Sequence, residues 1–455
     1  MTAPVVINKV KNTRRCVGPD IRKQNGSRSR FKSDLCNRSN MWKQLDESSW
    51  KNDRGSKIAD VSDSVSEIIG KVRSGGDKAL RELTKKFDKF DLKDIEVGRD
   101  EIDDAYDEVD EELIDAIETA ADNIQRFHEM QLDQDLWMRE VEPGVILGVK
   151  STPLERIGVY VPGGRASYPS TALMGIIPAR VAGVDEVICC TPPPAAPATL
   201  VAMDIAGADE IYRIGGVQAI AAMAFGTESV ERVQKIVGPG NVYVTAAKEM
   251  LRGVVEIDFP AGPSEIGIIA DSTAEPRFIA ADVLAQAEHD PASACVLVTT
   301  DASLPEKVWK NIETMKKASP RLKIIDGALG NSGYIIAGSL DEAVEIINEI
   351  APEHLSIVTA DVMDPLMKVR NAGSIFLGPY SPVAAGDYAS GTNHILPTAG
   401  NASVASGLNT AHFRKTSTIQ MISRDGLDNI ADVIEKISQS EGLTAHRDSV
   451  RVRRG

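Results

Sequence analysis

The feature that most limits what this chain can fold into is a strand–turn–helix alternation that sets in near Gly144. RIGVYVPGG, DEVICCTPP, DEIYRIGG, VQKIVGPGN and IGIIAD are short apolar or β-branched runs between about 144 and 270, most of them ending in Gly or Pro. Between them stand TALMGIIPARVAG, ATLVAMDIAGA, VQAIAAMAFG and VYVTAAKEMLRG, which read as helices. That alternation predicts βαβ units around a parallel sheet. A second alternating block, about 264–377, holds SACVLVTT, a helix near Leu304–Lys317, GYIIAG, DEAVEIINEIA, HLSIVTA and AGSIFLGP. The predicted class is therefore α/β, with two packed α/β domains and a crevice between them.

The first forty residues are different in kind. They carry ten Lys and Arg against two acids, Asp20 and Asp34, which leaves about −23 of the chain's −15 net charge to the remainder. They lack helical or strand periodicity and the apolar core of a secretory signal. The expected readings are a disordered tail or a start at Met41, with a nucleic-acid arm poorly supported. After Met41, SDSVSEIIGKVRSGGDKALRELTKKFDKF predicts two amphipathic helices parted at Gly75–Gly76–Asp77, with Asp77 able to cap the second. The acidic stretch GRDEIDDAYDEVDEELIDAIETAADNIQRFHEMQ predicts one or two more, with His128 as a helix-surface or packing residue. After Gly386 the chain reads as loop-rich, then helical.

A net charge of −15 argues against nucleic acid or an anionic membrane as the main partner. No run reaches the roughly 20 apolar residues of a spanning helix. The five cysteines, Cys16, Cys36, Cys189, Cys190 and Cys295, form no pattern and include no CxxC pair. They predict buried free thiols in a reducing cytoplasm, not a disulfide framework or a cysteine zinc site.

In open α/β sheets, ligands bind beyond the carboxyl ends of the strands. Here those turns are Pro162–Gly164, Gly215–Gly216 and Gly238–Gly240. Glycines there let backbone amides approach phosphate, but GxGxxG is absent, so nucleotide binding and plain turn chemistry both remain open. LAQAEHD (284–290) ends a helical run near Pro291 and puts Gln286 and His289 on one face. That pair can be two legs of a metal site or a hydrogen-bonded helix end. Glu353 and His354, in APEHL, stand at a strand start, where neighbours point to opposite faces unless the backbone turns. They are either a polar strand start or two bases of different strength. GDYASGTNHILPT (386–398) offers Asp387 and His394 in a polar loop, and EGLTAH (441–446) offers Glu441 and His446 in an otherwise plain helix. Gln286, His289, Asp387 and His446 together make a mixed N/O set suited to zinc or a similar divalent ion, although spacing alone does not assemble it.

VPGG, GGVQAIAA, GPGN, AGPSE, LAQAEHD, APEHL, GDYASGTNHILPT and EGLTAH, in this order over about 290 residues, closely resemble the histidinol dehydrogenases. The resemblance runs from Met41 to the C-terminus. It implies an NAD-dependent homodimer with one zinc per subunit that oxidises L-histidinol to L-histidine through the aldehyde, in the last steps of histidine biosynthesis. It implies two incomplete Rossmann-like parallel-sheet domains, 53–156 plus 264–408 carrying the metal and catalytic residues and 157–263 binding NAD. Small segments, 41–52 plus 409–455, would form the dimer. Matched motif by motif, the zinc ligands are Gln286, His289, Asp387 and His446, and the catalytic pair is Glu353 and His354. The substrate contacts are Ser264, Gln286, His289, His354, Asp387, His394, Glu441 and His446. Tyr160, Gln218 and Asn241 match the NAD-contacting positions. His446 and Glu441 are expected to reach the partner's site.

That chemistry suits the residues. Histidinol's amine and imidazole are good ligands for zinc, His354 would take the alcohol proton, and Glu353 would activate the water that hydrates the aldehyde. Three rivals are weighed against it. A related zinc/NAD dehydrogenase for another hydroxylated substrate would need no imidazole pocket, which the pair Glu441 and His446 tells against. A zinc hydrolase using Glu353 would leave Gln218 and Asn241 without a purpose. A non-catalytic dimeric binding protein would not fill every polar site position.

Overall fold

A computed structural model describes residues 42–45, 58–163, 167–260 and 262–454. The basic N-terminal stretch, most of 41–52 and Gly164 lie outside the described residues. The alternation does form parallel sheets. β1 (Lys43–Gln44), β2 (Leu136–Glu142), β3 (Val145–Pro153), β4 (Arg156–Tyr160), β5 (Glu186–Cys190), β6 (Glu210–Tyr212), β7 (Lys235–Val237) and β8 (Glu256–Ile257) come first. β9 (Glu265–Ala270), β10 (Ala294–Thr299), β11 (Gly333–Ile336), β12 (His354–Val358), β13 (Ser374–Leu377) and β14 (Arg414–Ile422) follow.

The five-stranded sheet has the order β6-β5-β4-β7-β8, and the six-stranded sheet the order β1-β11-β10-β9-β12-β13. All their pairings are parallel. Apart from β1, the two sheets share one winding: the chain steps outward through three strands, then returns to the other side of the first. This is a Rossmann-like order one strand short, and it makes two places where the direction reverses, between β4 and β7 and between β9 and β12. Helices cover both faces of both sheets. Pro169–Val181 and Pro197–Ala206 pack on one face of the first, and Gly216–Phe225 and Val242–Leu251 on the other. Pro276–Ala287 and Leu304–Met315 cover one face of the second, and Leu340–Ile350 the other. This is why β4, β9, β10 and β12 are buried along their whole length and read as continuous apolar runs.

Several local expectations change. Ile58–Phe87 is helical on both sides of a kink at Gly76 (φ 51), so two helices are right. Asp77 does not cap the second, however: its carboxylate accepts from Ser229 N and Oγ, while its own N–H donates to Glu228. His128 is fully buried, a packing residue and not a surface one. IGIIAD, grouped with the first block by its neighbours, is β9 at the centre of the second sheet. The sequence reading contained no antiparallel sheet, yet β14-β3-β2 forms one. A Pro143–Gly144 turn, with Gly144 at φ 77, joins β2 to β3, but β14 comes from more than 250 residues away and local pattern does not announce it. EGLTAH is not inside a helix either. Gly442 (φ 73) separates Arg424–Ser440 from Thr444–Arg454. Among the described residues no helix is long and apolar enough to cross a membrane. Cys189 and Cys190 are buried free thiols, as expected, and Cys295 is buried as well.

Candidate active site

The first candidate surface lies where the five-stranded sheet reverses. Tyr160 ends β4, buried, and its hydroxyl accepts from Gly216 N at 3.0 Å. Burial pushes the phenol up to about 12, so it stays protonated. Gly238 follows β7 at φ 115, and a Cβ there would collide with the Tyr160 carbonyl. Only glycine lets the two strand ends approach so closely. The Gly215–Gly216 and Gly238–Gly240 turns thus converge on the end of β4 at the carboxyl edge, with Gln218 buried in the helix Gly216–Phe225. Asn241 is exposed and its Oδ1 caps the next helix, accepting from Tyr243 N at 3.0 Å and Val244 N at 3.2 Å. Its Nδ2 is the part that faces no helix amide.

The turn between Gly238 and Asn241 rests on a buried ion pair. Lys248 Nζ donates to Gly238 O at 2.9 Å, and Gly238 N donates to Asp258 Oδ2 at 2.9 Å. Lys248 and Asp258 form an ion pair, their side chains 4% and 1% exposed.

At the second surface Glu353 and His354 stand at a strand start, as expected; with Ser264 they mark the amino ends of β9 and β12, the edge opposite to the one the glycine turns take in the first sheet. Leu340–Ile350 ends on Ala351, left-handed at φ 49, and Pro352 then leads into the strand. That bend resolves the opposite-faces objection, because Glu353 precedes the strand proper. Both side chains are buried, with His354 Nδ1 3.8 Å from Glu353 Oε2. Gln286 is buried in the last turn of Pro276–Ala287, and His289 lies beyond the helix end, exposed, its amide 3.4 Å from Gln286 O. The helix stops at Ala287, short of Pro291, so the shared-face argument becomes a shared turn.

Gln286 Oε1 is 3.0 Å from His354 Nδ1. A proton on Nδ1 satisfies both atoms and leaves Nε2 as the lone-pair nitrogen. That Nε2 is buried without a hydrogen-bond partner, 3.7 Å from Asp387 Oδ1. Desolvation, with His289 and His394 nearby, lowers the His354 pKa to about 3. Asp387 lies in the short helix Val383–Tyr388, within what read as a loop, and desolvation raises its pKa to about 7. His394 Nδ1 is 2.9 Å from Asp387 O, and its Nε2 is 3.4 Å from Thr171 Oγ1. Burial lowers the His394 pKa to about 4. Desolvation lowers that of His289 as well.

Thr171 belongs to the first turn of the helix after β4. The His394–Thr171 contact therefore sets the amino edge of one sheet against the carboxyl edge of the other. Asn393 reinforces it: its Nδ2 donates to Met174 O at 2.8 Å and lies 3.5 Å from His128 Nε2, and its Oδ1 accepts from Ile395 N at 2.8 Å. Sequence reasoning passed over Thr171, Asn393 and Glu265, although the last two adjoin residues it singled out.

Glu441 and His446 are exposed on the C-terminal helical pair. Among the described residues, no hydrogen bond or ion pair joins either side chain to the other candidates. Nor do three His, Cys, Asp or Glu side chains converge as a metal cluster among the described residues. The donor set of this chain still suits a cation. Gln286, His289 and Asp387 offer amide oxygen, imidazole nitrogen and carboxylate oxygen. Asp387 is a buried carboxyl whose pKa shift has burial as its cause and no neighbouring cation to offset it.

Residues 51–454 match the family described as histidinol dehydrogenase. The histidinol dehydrogenase of Methanosarcina mazei is 53% identical over 406 residues, covering 88% of this chain and 94% of that protein. That of Methanothermobacter thermautotrophicus is 51% identical over 401 residues, covering 87% and 94%. The crystal structure of histidinol dehydrogenase from Elizabethkingia anophelis superposes with a TM-score of 0.87 at 43% identity, covering 90% of this chain and 96% of that one. With the match spanning both sheets apart from β1, and all twelve candidate residues, this chain belongs to the histidinol dehydrogenase family.

Proposed function

We propose that this chain oxidises L-histidinol to L-histidine through L-histidinaldehyde, with NAD as hydride acceptor and zinc at the site. The observation that carries the reading is the facing of two sheet edges across the His394–Thr171 contact, 3.4 Å. One edge gathers Gln286, Glu353, His354 and Asp387, and the other gathers Tyr160, Gln218 and the Gly238–Asn241 turn. A substrate held on the first would present its carbinol carbon to a nicotinamide held on the second.

Gln286, His289 and Asp387 would hold the metal, with His446 from a second copy as the fourth ligand. Zinc, when bound, supplies an orienting template for the substrate amine and imidazole. His354, its Nδ1–H donated to Gln286, keeps Nε2 as the acceptor for the alcohol proton while hydride leaves for the cofactor. A pKa lowered to about 3 keeps it in that proton-accepting form at neutral pH. Glu353 takes a proton from water as that water adds to the aldehyde, giving the hydrate from which the second hydride departs. NAD, when bound, would supply the hydride acceptor, one for each oxidation.

The segments 53–156 plus 264–408 and 157–263 would act as the catalytic and NAD-binding parts. The segments 41–52 plus 409–455 would form the dimer contact, with Glu441 and His446 completing the partner's site. Exposed apolar side chains on the C-terminal segment, Met421, Ile422, Val433, Ile437, Leu443 and Val452, support that last role. The test is NADH absorbance on adding L-histidinol to the full chain, before chelation, after it and after zinc is restored. The expected result is two NADH per histidinol, lost with the metal and regained with zinc. No NADH from zinc-loaded protein would overturn the reading.

A further inference from the structure

β9 and β12 are parallel neighbours that begin at the same level, with His354 opposite Ile266. Glu265 and Glu353 therefore stand side by side at the amino edge, 1% and 5% exposed. Each holds the other's backbone. Glu265 N donates to Glu353 Oε2 at 2.9 Å, and Glu353 N donates to Glu265 Oε1 at 3.3 Å. Glu265 Oε1 also accepts from Ala399 N at 3.1 Å, in the segment that follows His394. That segment is tied again to the strand's approach by Gly262 N donating to Thr398 Oγ1.

We infer that Glu265 is the positioning residue for Glu353: its carboxylate holds the Glu353 amide against the segment that follows His394, and its backbone N–H holds the Glu353 carboxylate. The inference rests on the reading of Glu353 as the group that activates water. Backbone amides removed from water need an acceptor, and those of Glu353 and of Ala399 both find it in Glu265 Oε1. A glutamate meets both with one oxygen, and these side-chain bonds fix the place of its backbone N–H, which anchors Oε2 of the reacting carboxylate. Fixing Oε2 fixes the plane of the Glu353 carboxylate and so the direction from which it can reach water.

A residue that merely satisfied amides would affect both oxidations alike. One that aims Glu353 affects the aldehyde step alone, because water is activated only there. The experiment is single-turnover NADH formation from L-histidinol and from L-histidinaldehyde, using the full zinc-loaded chain and its Glu265→Asp, Glu265→Gln and Glu353→Gln variants. Aspartate, one carbon shorter, cannot span both amides; the aldehyde step should fall about 10–100-fold while alcohol oxidation stays within about threefold. Glutamine keeps Oε1 as the acceptor and should restore the aldehyde step to within about threefold of the parent. Equal losses in both steps for Glu265→Asp, or no loss, overturn the inference while Glu353→Gln still shows its selective defect. If Glu353→Gln shows no selective defect, the reading of Glu353 fails and takes this inference with it. Glu265→Gln decides independently of whether Glu265→Asp folds: a folded Glu265→Gln as defective on the aldehyde as Glu353→Gln would make Glu265 itself a reacting group.

Discussion

Replacing Asp258 by Ala should loosen the Gly238–Asn241 turn from within. The carboxylate is 1% exposed, faces the Lys248 ammonium and accepts from Gly238 N. Its loss leaves a buried ammonium, 4% exposed, with only the Gly238 carbonyl, and strands a buried N–H. Breaking a buried pair from one side typically costs about 3–5 kcal/mol, most of it the penalty on the charge left behind. Lys248→Met should cost a similar amount for the mirror-image reason. The double variant removes both charges and should cost less than the sum of the two by about 2 kcal/mol or more. Chemical unfolding of the four proteins gives that coupling directly. Because the pair grips both the N–H and the C=O of Gly238, either single change should also raise the KM for NAD more than it lowers kcat. Costs that add within about 0.5 kcal/mol would refute the argument, since the two groups would then not be interacting.

Glu353→Gln should slow aldehyde oxidation by about 10²–10⁴-fold and leave alcohol oxidation nearly intact, whereas His354→Asn should damage both; single-turnover rates on each substrate check this, and equal losses in the Glu353 variant would sink the assignment. Burial lowers the His128 pKa, so the folded chain takes up that proton less readily than the unfolded one. Above the unfolded value of about 6.5 the residue is neutral in both states; below it, stability should fall by up to about 1.4 kcal/mol per pH unit until the folded pKa is passed. His128→Leu should flatten the slope of unfolding free energy between about pH 5 and 6.5, and an unchanged slope would show that His128 protonates equally in both states. Inactive His289→Ala and His446→Ala proteins, mixed and allowed to exchange subunits, should regain about one intact site per heterodimer; proven exchange without recovery would exclude a shared site.

Both parallel sheets were legible because a strand buried on two faces has to be a continuous apolar run, and VICC, IGIIA and CVLVT are such runs. The antiparallel sheet was not, since β2 is exposed along its length and β14 largely so. Such strands carry no apolar pattern, and their pairing depends on a partner far along the chain. At the site, residue types and motif order nominated Gln286, Glu353, His354 and Asp387, and the strand start placed Glu353 and His354, but nothing local told which edge of the sheet Gln286 and Asp387 occupy. That edge follows from helix Pro276–Ala287 running back along the sheet, which returns its last turn to the amino side. Asn393 and Glu265 escaped notice because their work is done on backbone amides, and sequence does not show which amides lack a partner. The roles proposed for Glu441 and His446 need a second copy, which the fold of one chain does not assemble.

Since the candidate catalytic residues occupy the amino edge of the six-stranded sheet, the opposite edge is left with connections that support themselves. Asp271 binds Thr273 N and Ala360 N, Asp301 binds Ser303 N, and Asp361 binds Met363 N, each at 2.8 to 2.9 Å. Turns closed by their own side chains place few demands on their surroundings, and a longer loop adds only slowly to closure entropy. This rim is where the fold can accept inserted sequence, a fused module or new chain ends while the reacting groups keep their geometry.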